Sequence, residues 1–260
     1  MRSKSLLLIS NFAGLIAFFW PFLPLGYSQP IFARTAFSFA IGMFAIAIIA
    51  SEISERLLDS KTVAIIGVLA ALISALRLLG AGAIGIEPMW FLLIIATRAF
   101  GIALGYPLAL VSFGVSAIIS GGVGPWLSFQ MFAAGWIALG VALIPRKLSG
   151  RMEVAALSIY GIATSFFFGL VMDLQLWPWL VGTDTQLSFD SRLGAIENLS
   201  RFLTFHLASA MAWDLPRALT TSLLIAISAR PILNSLRRAS LRLNLNGRGQ
   251  ELTEPLQQVR

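Results

Sequence analysis

The chain has 260 residues, of which 57% are apolar and 12% charged, about half the charge of a soluble globular domain. No core of this size hides so much apolar surface, which excludes a fold solvated by water alone. The absence of cysteine excludes a disulfide framework and a thiolate metal site.

Segments that span lipid are helices or closed barrels, because no water is there to satisfy the backbone. The apolar stretches run about 16 to 22 residues without the alternation of barrel strands, so the expected fold class is an all-α integral membrane protein. Eight spans are expected, at 5–25, 36–51, 62–79, 88–101, 103–120, 125–145, 152–174 and 203–229. The opening Met1-Arg2-Ser3-Lys4 and the run after it imitate a signal peptide. No small-x-small cleavage site follows, which predicts an uncleaved first helix.

The third span carries Gly67, Ala71 and Ala75, four apart on one face. Small side chains in that pattern let a second helix approach closely, although ordinary internal packing produces the same pattern. The loop from Arg77 to Pro88 is Gly-rich and bracketed by the opposite charges of Arg77 and Glu87. A cover over a binding cavity uses such length and flexibility; a flexible connector is the plainer alternative. Between Glu87 and Gly121 the chain is too long for one helix and short for two. Gly101, Gly105 and Pro107 mark a tight reversal there.

Gly121, Gly122 and Gly124 break the next helix, and Pro125 suits the first turn of the one that follows. Trp126 and Phe129 then fall near the outer surface, with Gln130 one turn inside. An aromatic pair with one amide at a cavity mouth suits a small organic ligand. An interfacial aromatic belt explains Trp126 alone and leaves Gln130 unexplained. Ionisable residues in membrane segments are costly, so Arg98, Asp173, Asp214 and Arg217 are functional candidates. Asp214 and Arg217, three apart around Pro216, also neutralise one another. The outer stretch from Trp177 to Asn198 exceeds a plain connector and suits a second lid. The single histidine, His206, is expected to be a polar packing residue. Beyond Pro231, the run Leu236-Arg237-Arg238-Ala239-Ser240-Leu241-Arg242 predicts a short basic amphipathic helix, on anionic lipid or against a partner subunit.

The net charge is +7, from 19 basic and 12 acidic residues. With eight spans and the N-terminus inside, most of the basic residues fall on the cytoplasmic side. They include Arg2, Lys4, Arg56, Lys61, Arg146, Lys147, Arg151, Arg230, Arg237 and Arg238. The positive-inside rule asks for this bias, so it argues for topology in the cell membrane and against a nucleic-acid partner. A seven-span model would put Arg146, Lys147 and Arg151 outside.

No Gly-x-x-x-x-Gly-Lys-Ser/Thr loop, His-Glu-x-x-His or Gly-x-Ser-x-Gly occurs. The chain therefore has no ATP site of that kind. The expected reading is a transport subunit without enzyme activity, cofactor or metal.

The residues resemble a family. Ala71-x-x-x-Ala75, the Gly-rich loop to Glu87-Pro88, Gly121-Gly122-Val123-Gly124-Pro125-Trp126 with Phe129-Gln130-Met131, Pro145-Arg146, and Trp213-Asp214-x-x-Arg217-Ala218 look like the substrate-binding S components of energy-coupling factor transporters. The resemblance runs from about Lys61 to Arg242 and is nearest to the actinobacterial-type branch. It implies a six-helix core with ligand-covering outer loops and high-affinity binding of a vitamin or similar micronutrient. Cobalamin is a candidate by the same resemblance. Its implied partners are a transmembrane coupling subunit and a pair of ATP-binding-cassette ATPases, with toppling in the membrane to release the ligand inside. The Ala-x-x-x-Ala face, with Gly67 beside it, would contact the coupling subunit. Substrate-binding candidates are then Arg77, Glu87, Trp126, Phe129, Gln130, Asp214 and Arg217.

The expected division is two extra N-terminal helices in 1–60, a six-helix core in 61–230 and a basic cytoplasmic tail in 231–260. Two other functions stay open. A polytopic membrane enzyme acting on a lipid or prenyl substrate would need clustered acidic residues or histidines at the membrane surface. A self-sufficient secondary transporter would favour inverted repeats and discontinuous helices.

Overall fold

The computed structural model describes residues 2–22, 60–80, 85–180 and 185–242, with 36, 40, 42–44 and 46–47 between the first two stretches. Among these residues every regular element is a helix. In chain order they are α1 (Arg2–Phe18), α2 (Ser60–Leu79), α3 (Met89–Phe100), α4 (Ile102–Ser120), α5 (Leu127–Gly140), α6 (Gly150–Leu180), α7 (Ala195–Ser209) and α8 (Met211–Arg242).

Four of these, α2, α4, α6 and α8, are long and apolar enough to cross a membrane; shorter apolar helices lie at Leu8–Phe18, Met89–Phe100 and Leu127–Leu143. The chain is thus a helical, membrane-embedded protein, with four candidate spans among the described residues rather than eight. The span expected at 36–51 lies largely outside those residues. The one expected at 203–229 is not a single helix: the chain breaks at Ala210, which ends α7 by an N–H bond to the His206 carbonyl. No Gly or Pro marks that break. α7 buries Asn198, Phe202 and His206 and exposes the row Ile196, Leu199, Leu203 and Leu207.

The reversal expected near Gly101 is present. Gly101 adopts φ +87°, a conformation other residues resist, and its N–H caps the Thr97 carbonyl. Gly105 then lies against Thr97, with no room for a Cβ, so α3 and α4 close on each other. At 12 residues α3 rises only about 18 Å, well short of a bilayer core. Pro125 does not open α5; the helix begins at Leu127, after a turn through Gly124–Trp126.

α6 and α8 form the spine. Gly161, Ser165 and Gly169, four apart on α6, face α8. A Cβ at Gly161 would press on Thr221 and Ile225, and one at Gly169 would collide with the Asp214 carboxylate. Small residues at that spacing are what close helix approach in lipid requires. α8 also runs on through Pro231 to Arg242, so the basic segment after Pro231 continues the last helix instead of forming a separate one.

α1 is built into the core. Phe18 is fully buried, 4.9 Å from the Phe129 ring, and Gly14 lies against Phe132. The Asn11 carbonyl accepts from Trp136 Nε1 at 2.9 Å and from the Tyr106 hydroxyl at 3.1 Å.

Two layers of charge cross the bundle. One holds Arg98, Glu153 and Arg237; the other holds Glu87, Asp214 and Arg217. From Arg217 to Arg237 along α8 the rise is about 30 Å, the thickness of a hydrocarbon core.

Candidate functional site

The site is at the Glu87 end. Arg77, in the last turn of α2, donates to Ser116 Oγ of α4 at 2.7 Å and to Gln130 Oε1 of α5 at 2.9 Å. Its guanidinium lies 4.6 Å above the Phe113 ring. Arg217, in the second turn of α8, donates to Asp214 Oδ1 at 2.5 Å, Glu87 Oε1 at 3.1 Å and the Ser165 carbonyl at 3.2 Å. It lies 5.2 Å from the Phe168 ring centre. Glu87 also accepts from Trp90 Nε1 at 2.6 Å.

An aromatic bed joins the two arginines. Trp90 is 4.6 Å from Phe168 and 5.7 Å from Phe113. Positive charge over an aromatic face is attracted by the ring quadrupole, most strongly where water is excluded. Asp214 and Arg217 are almost fully buried, yet Asp214 Oδ2 and Arg217 Nε have no hydrogen-bond partner. Buried polar atoms are rarely left unpaired, so these two are exceptions that a function can explain.

The loop ahead of α3 is held tightly. Gly85 has φ +65° and sits against the Trp213 carbonyl, where a Cβ would collide. Residues 81–84 of the loop lie outside the described residues.

Of the residues the sequence nominated, Arg77, Glu87, Gln130, Asp214 and Arg217 converge on this end of the bundle. Phe129 does not join them; it is buried against Phe18 of α1. Trp126 folds over Gly124 and is 42% exposed. Gly67, Ala71 and Ala75 all lie on an exposed face of α2, and a Cβ at Gly67 would meet nothing. Arg98, at the other end, donates to Glu153 and to the Ile144 and Pro145 carbonyls, so it ties α3 to the end of α5 and the start of α6.

Trp90, Ser116, Phe113, Phe168 and Ser165 are partners that sequence reasoning did not nominate as site residues. Only Trp90 carried a signal, three residues after Glu87. His206, expected to be a polar packing residue, is buried and stacked on Phe202, with its Nδ1 2.8 Å from Asp173 Oδ2.

Asp173 and Trp177 lie inside α6, which continues to Leu180. The stretch 185–194 is tied down rather than loose. Trp177 Nε1 donates to the Leu187 carbonyl at 2.7 Å, and the buried Asn198 bonds Asp190, Leu193 and Gly194. Arg192 donates to Asp190 and holds its carboxyl down at about 2. Among the described residues no group of three or more His, Asp or Glu is placed to hold a metal ion.

No family model, curated protein or solved structure matches the chain.

Proposed function

We propose that the chain is the membrane-embedded, substrate-binding subunit of an energy-coupling factor importer for a vitamin or similar micronutrient. The observation that carries this reading is the convergence of six helices, α2 to α6 and α8, on one polar and aromatic layer at a single end of the bundle. Arg77, Glu87, Gln130, Asp214 and Arg217 supply charge and hydrogen bonding, and Trp90, Phe113 and Phe168 supply ring surface. Ligand sites in membrane proteins combine these two ingredients, and intramembrane charges are retained mainly for function.

In this reading the Glu87 end faces outward and both termini face the cytoplasm of a plasma-membrane protein. The coupling subunit docks on the exposed α2 face of Gly67, Ala71 and Ala75. A pair of ATP-binding-cassette ATPases energises the complex. Cobalamin belongs among the ligands to be tried.

Mass spectrometry of small molecules retained by the purified protein, with a search for a co-purifying ATPase pair, tests the proposal. A retained micronutrient together with the ATPases is expected. Turnover of a lipid or prenyl compound without ATPases would replace the importer by the membrane-enzyme reading.

A further inference from the structure

The exposed rows of α6 and α8 both end in an arginine at the Glu153 end of the bundle. On α6, the exposed Ile162 and Ile159 lead down to the exposed Arg151 in the first turn. On α8, the exposed Leu223 and Ile227 lead to the exposed Arg230. The two helices run antiparallel, since Gly169 meets Asp214, Gly161 meets Thr221 and Glu153 meets Arg237.

Their register places the two arginines at one level. Ser158 of α6 donates to the Ser222 carbonyl of α8 at 3.4 Å, with both residues half-buried at the edge of the seam. Arg151 stands seven residues before Ser158, and Arg230 eight after Ser222. Both therefore lie about 10–12 Å beyond that contact. Two helical turns separate Arg151 from Ser158, so the two share one side of α6. Arg230 Nη2 is 3.9 Å from where a Cβ on Gly150 would stand, so its guanidinium reaches the start of α6.

Neither arginine has an ion pair or a hydrogen bond among the described residues. The acid at this end, Glu153, is buried and already held by Arg98 and Arg237. Arg146 and Lys147, in the turn before α6, and Arg238 and Arg242 on α8 add further exposed positive charge. A small soluble anion would leave the apolar rows above the arginines unused. A zwitterionic head would bring its own cation against two guanidinium groups. An anionic head on a long apolar body satisfies both the charge and the rows.

We propose that the seam between α6 and α8 binds an anionic phospholipid. Arg151 and Arg230 clamp its phosphate, each guanidinium offering a fork of N–H groups to the phosphate oxygens. Its acyl chains lie along Ile159 and Ile162 on one side and Leu223 and Ile227 on the other. A lipid held this way bridges the two helices of the spine and supplies the counter-charge that the described residues lack. The proposal needs only a membrane-embedded chain and is independent of the importer reading.

Thermal unfolding of the full chain in neutral detergent, titrated with dioleoylphosphatidylglycerol, tests it. The titration is run at about 1 M salt, where the screening length is about 3 Å and diffuse attraction is suppressed. Phosphatidylglycerol should raise the Tm saturably, as a ligand of the folded state does. Arg151→Gln combined with Arg230→Gln should raise the half-saturating amount at least about tenfold. Arg146→Gln combined with Lys147→Gln removes as much charge from the same end but not from the seam, and should raise it less than about threefold. If R151Q/R230Q does not fold, each single variant should raise it about threefold or more.

Equal weakening by the two double variants, or no saturable rise in the wild type, overturns the proposal. An equal response to phosphatidylcholine overturns the phosphate clamp. An equal response to soluble glycerol phosphate overturns the lipid as occupant and reduces the seam to an anion site.

Discussion

Gln130 lies in the first turn of α5 and Trp126 caps the start of that helix, but they differ in what they touch. Gln130 Oε1 accepts from Arg77, so Gln130→Ala leaves a guanidinium N–H without its partner. Loss of a hydrogen bond to a charged group costs roughly 1–3 kcal/mol, and Gln130→Ala should lower stability by that amount, measured by unfolding in detergent. Trp126→Ala should cost much less, since Trp126 is half exposed and covers only a glycine turn. If Arg77 also orients the ligand, ligand affinity should fall with Gln130→Ala and hold with Trp126→Ala. The Asp214–Arg217 pair was legible in the sequence because the two charges stand three residues apart on one helix. The Arg77–Gln130 bond was not: the sequence sets Arg77 opposite Glu87, which instead pairs with Arg217. Nor was the direction of Phe129. One residue away from Gln130, it turns to α1, and which flank of α5 is covered depends on packing between segments far apart in the chain.

At the scale of elements, two patterns of small residues behave oppositely. Gly67, Ala71 and Ala75 attract the eye in the sequence but lie on an open face. Gly161, Ser165 and Gly169 attract less, because Ser interrupts the glycines, yet they face α8 with no room for a Cβ at either glycine. Gly169→Ala should destabilise the protein by about 1–3 kcal/mol or more, because the added methyl meets a buried carboxylate on a helix that cannot retreat. Gly67→Ala should change stability by less than about 1 kcal/mol and in the favourable direction, from helix propensity alone. Reversible unfolding in mixed micelles separates the two. The same contrast limits what spacing reveals: small residues every four mark a face for close approach without saying whether the approaching helix is the chain's own. The break at Ala210 was illegible for another reason. No Gly or Pro stands between His206 and Leu215, so nothing in the local sequence marks the end of α7.

Across the whole molecule, one acid organises the end opposite the site. Glu153 is buried and accepts from Arg98 at 2.7 Å and from Arg237 at 2.6 Å, tying together α3, α6 and the extension of α8. Glu153→Ala strands the buried Arg98 and should cost about 3–5 kcal/mol, seen as a large fall in midpoint on unfolding. Arg237→Ala should cost far less, because Arg237 is 41% exposed and water can replace it at Glu153. The proposed topology is tested on the same scale. A single cysteine at position 148 of this cysteine-free chain should resist labelling from outside intact cells, and one at position 123 should accept it. Reversed labelling would invert the orientation and move the site to the cytoplasmic face. Ala71→Leu should block uptake while the isolated protein keeps its ligand; loss of ligand as well would return that face to internal packing.

The separation of the two charge layers has a consequence for where the protein can live. Along α8, Arg217 and Arg237 stand about 30 Å apart, and neither tether can slide without breaking its buried ion pairs. The bundle is therefore a ruler with a fixed hydrophobic length. A thicker bilayer would draw one charged layer into hydrocarbon, and a thinner one would leave the exposed row Leu215, Leu219, Leu223 and Ile227 partly in water. Hydrophobic mismatch of this kind costs a fraction of a kcal/mol per Å and is enough to sort proteins among membranes. Reconstituted into vesicles of graded acyl-chain length, the chain should be most stable where the hydrocarbon is about 30 Å thick, and each added or removed pair of methylenes should strain Glu87–Arg217 at one face and Glu153–Arg237 at the other.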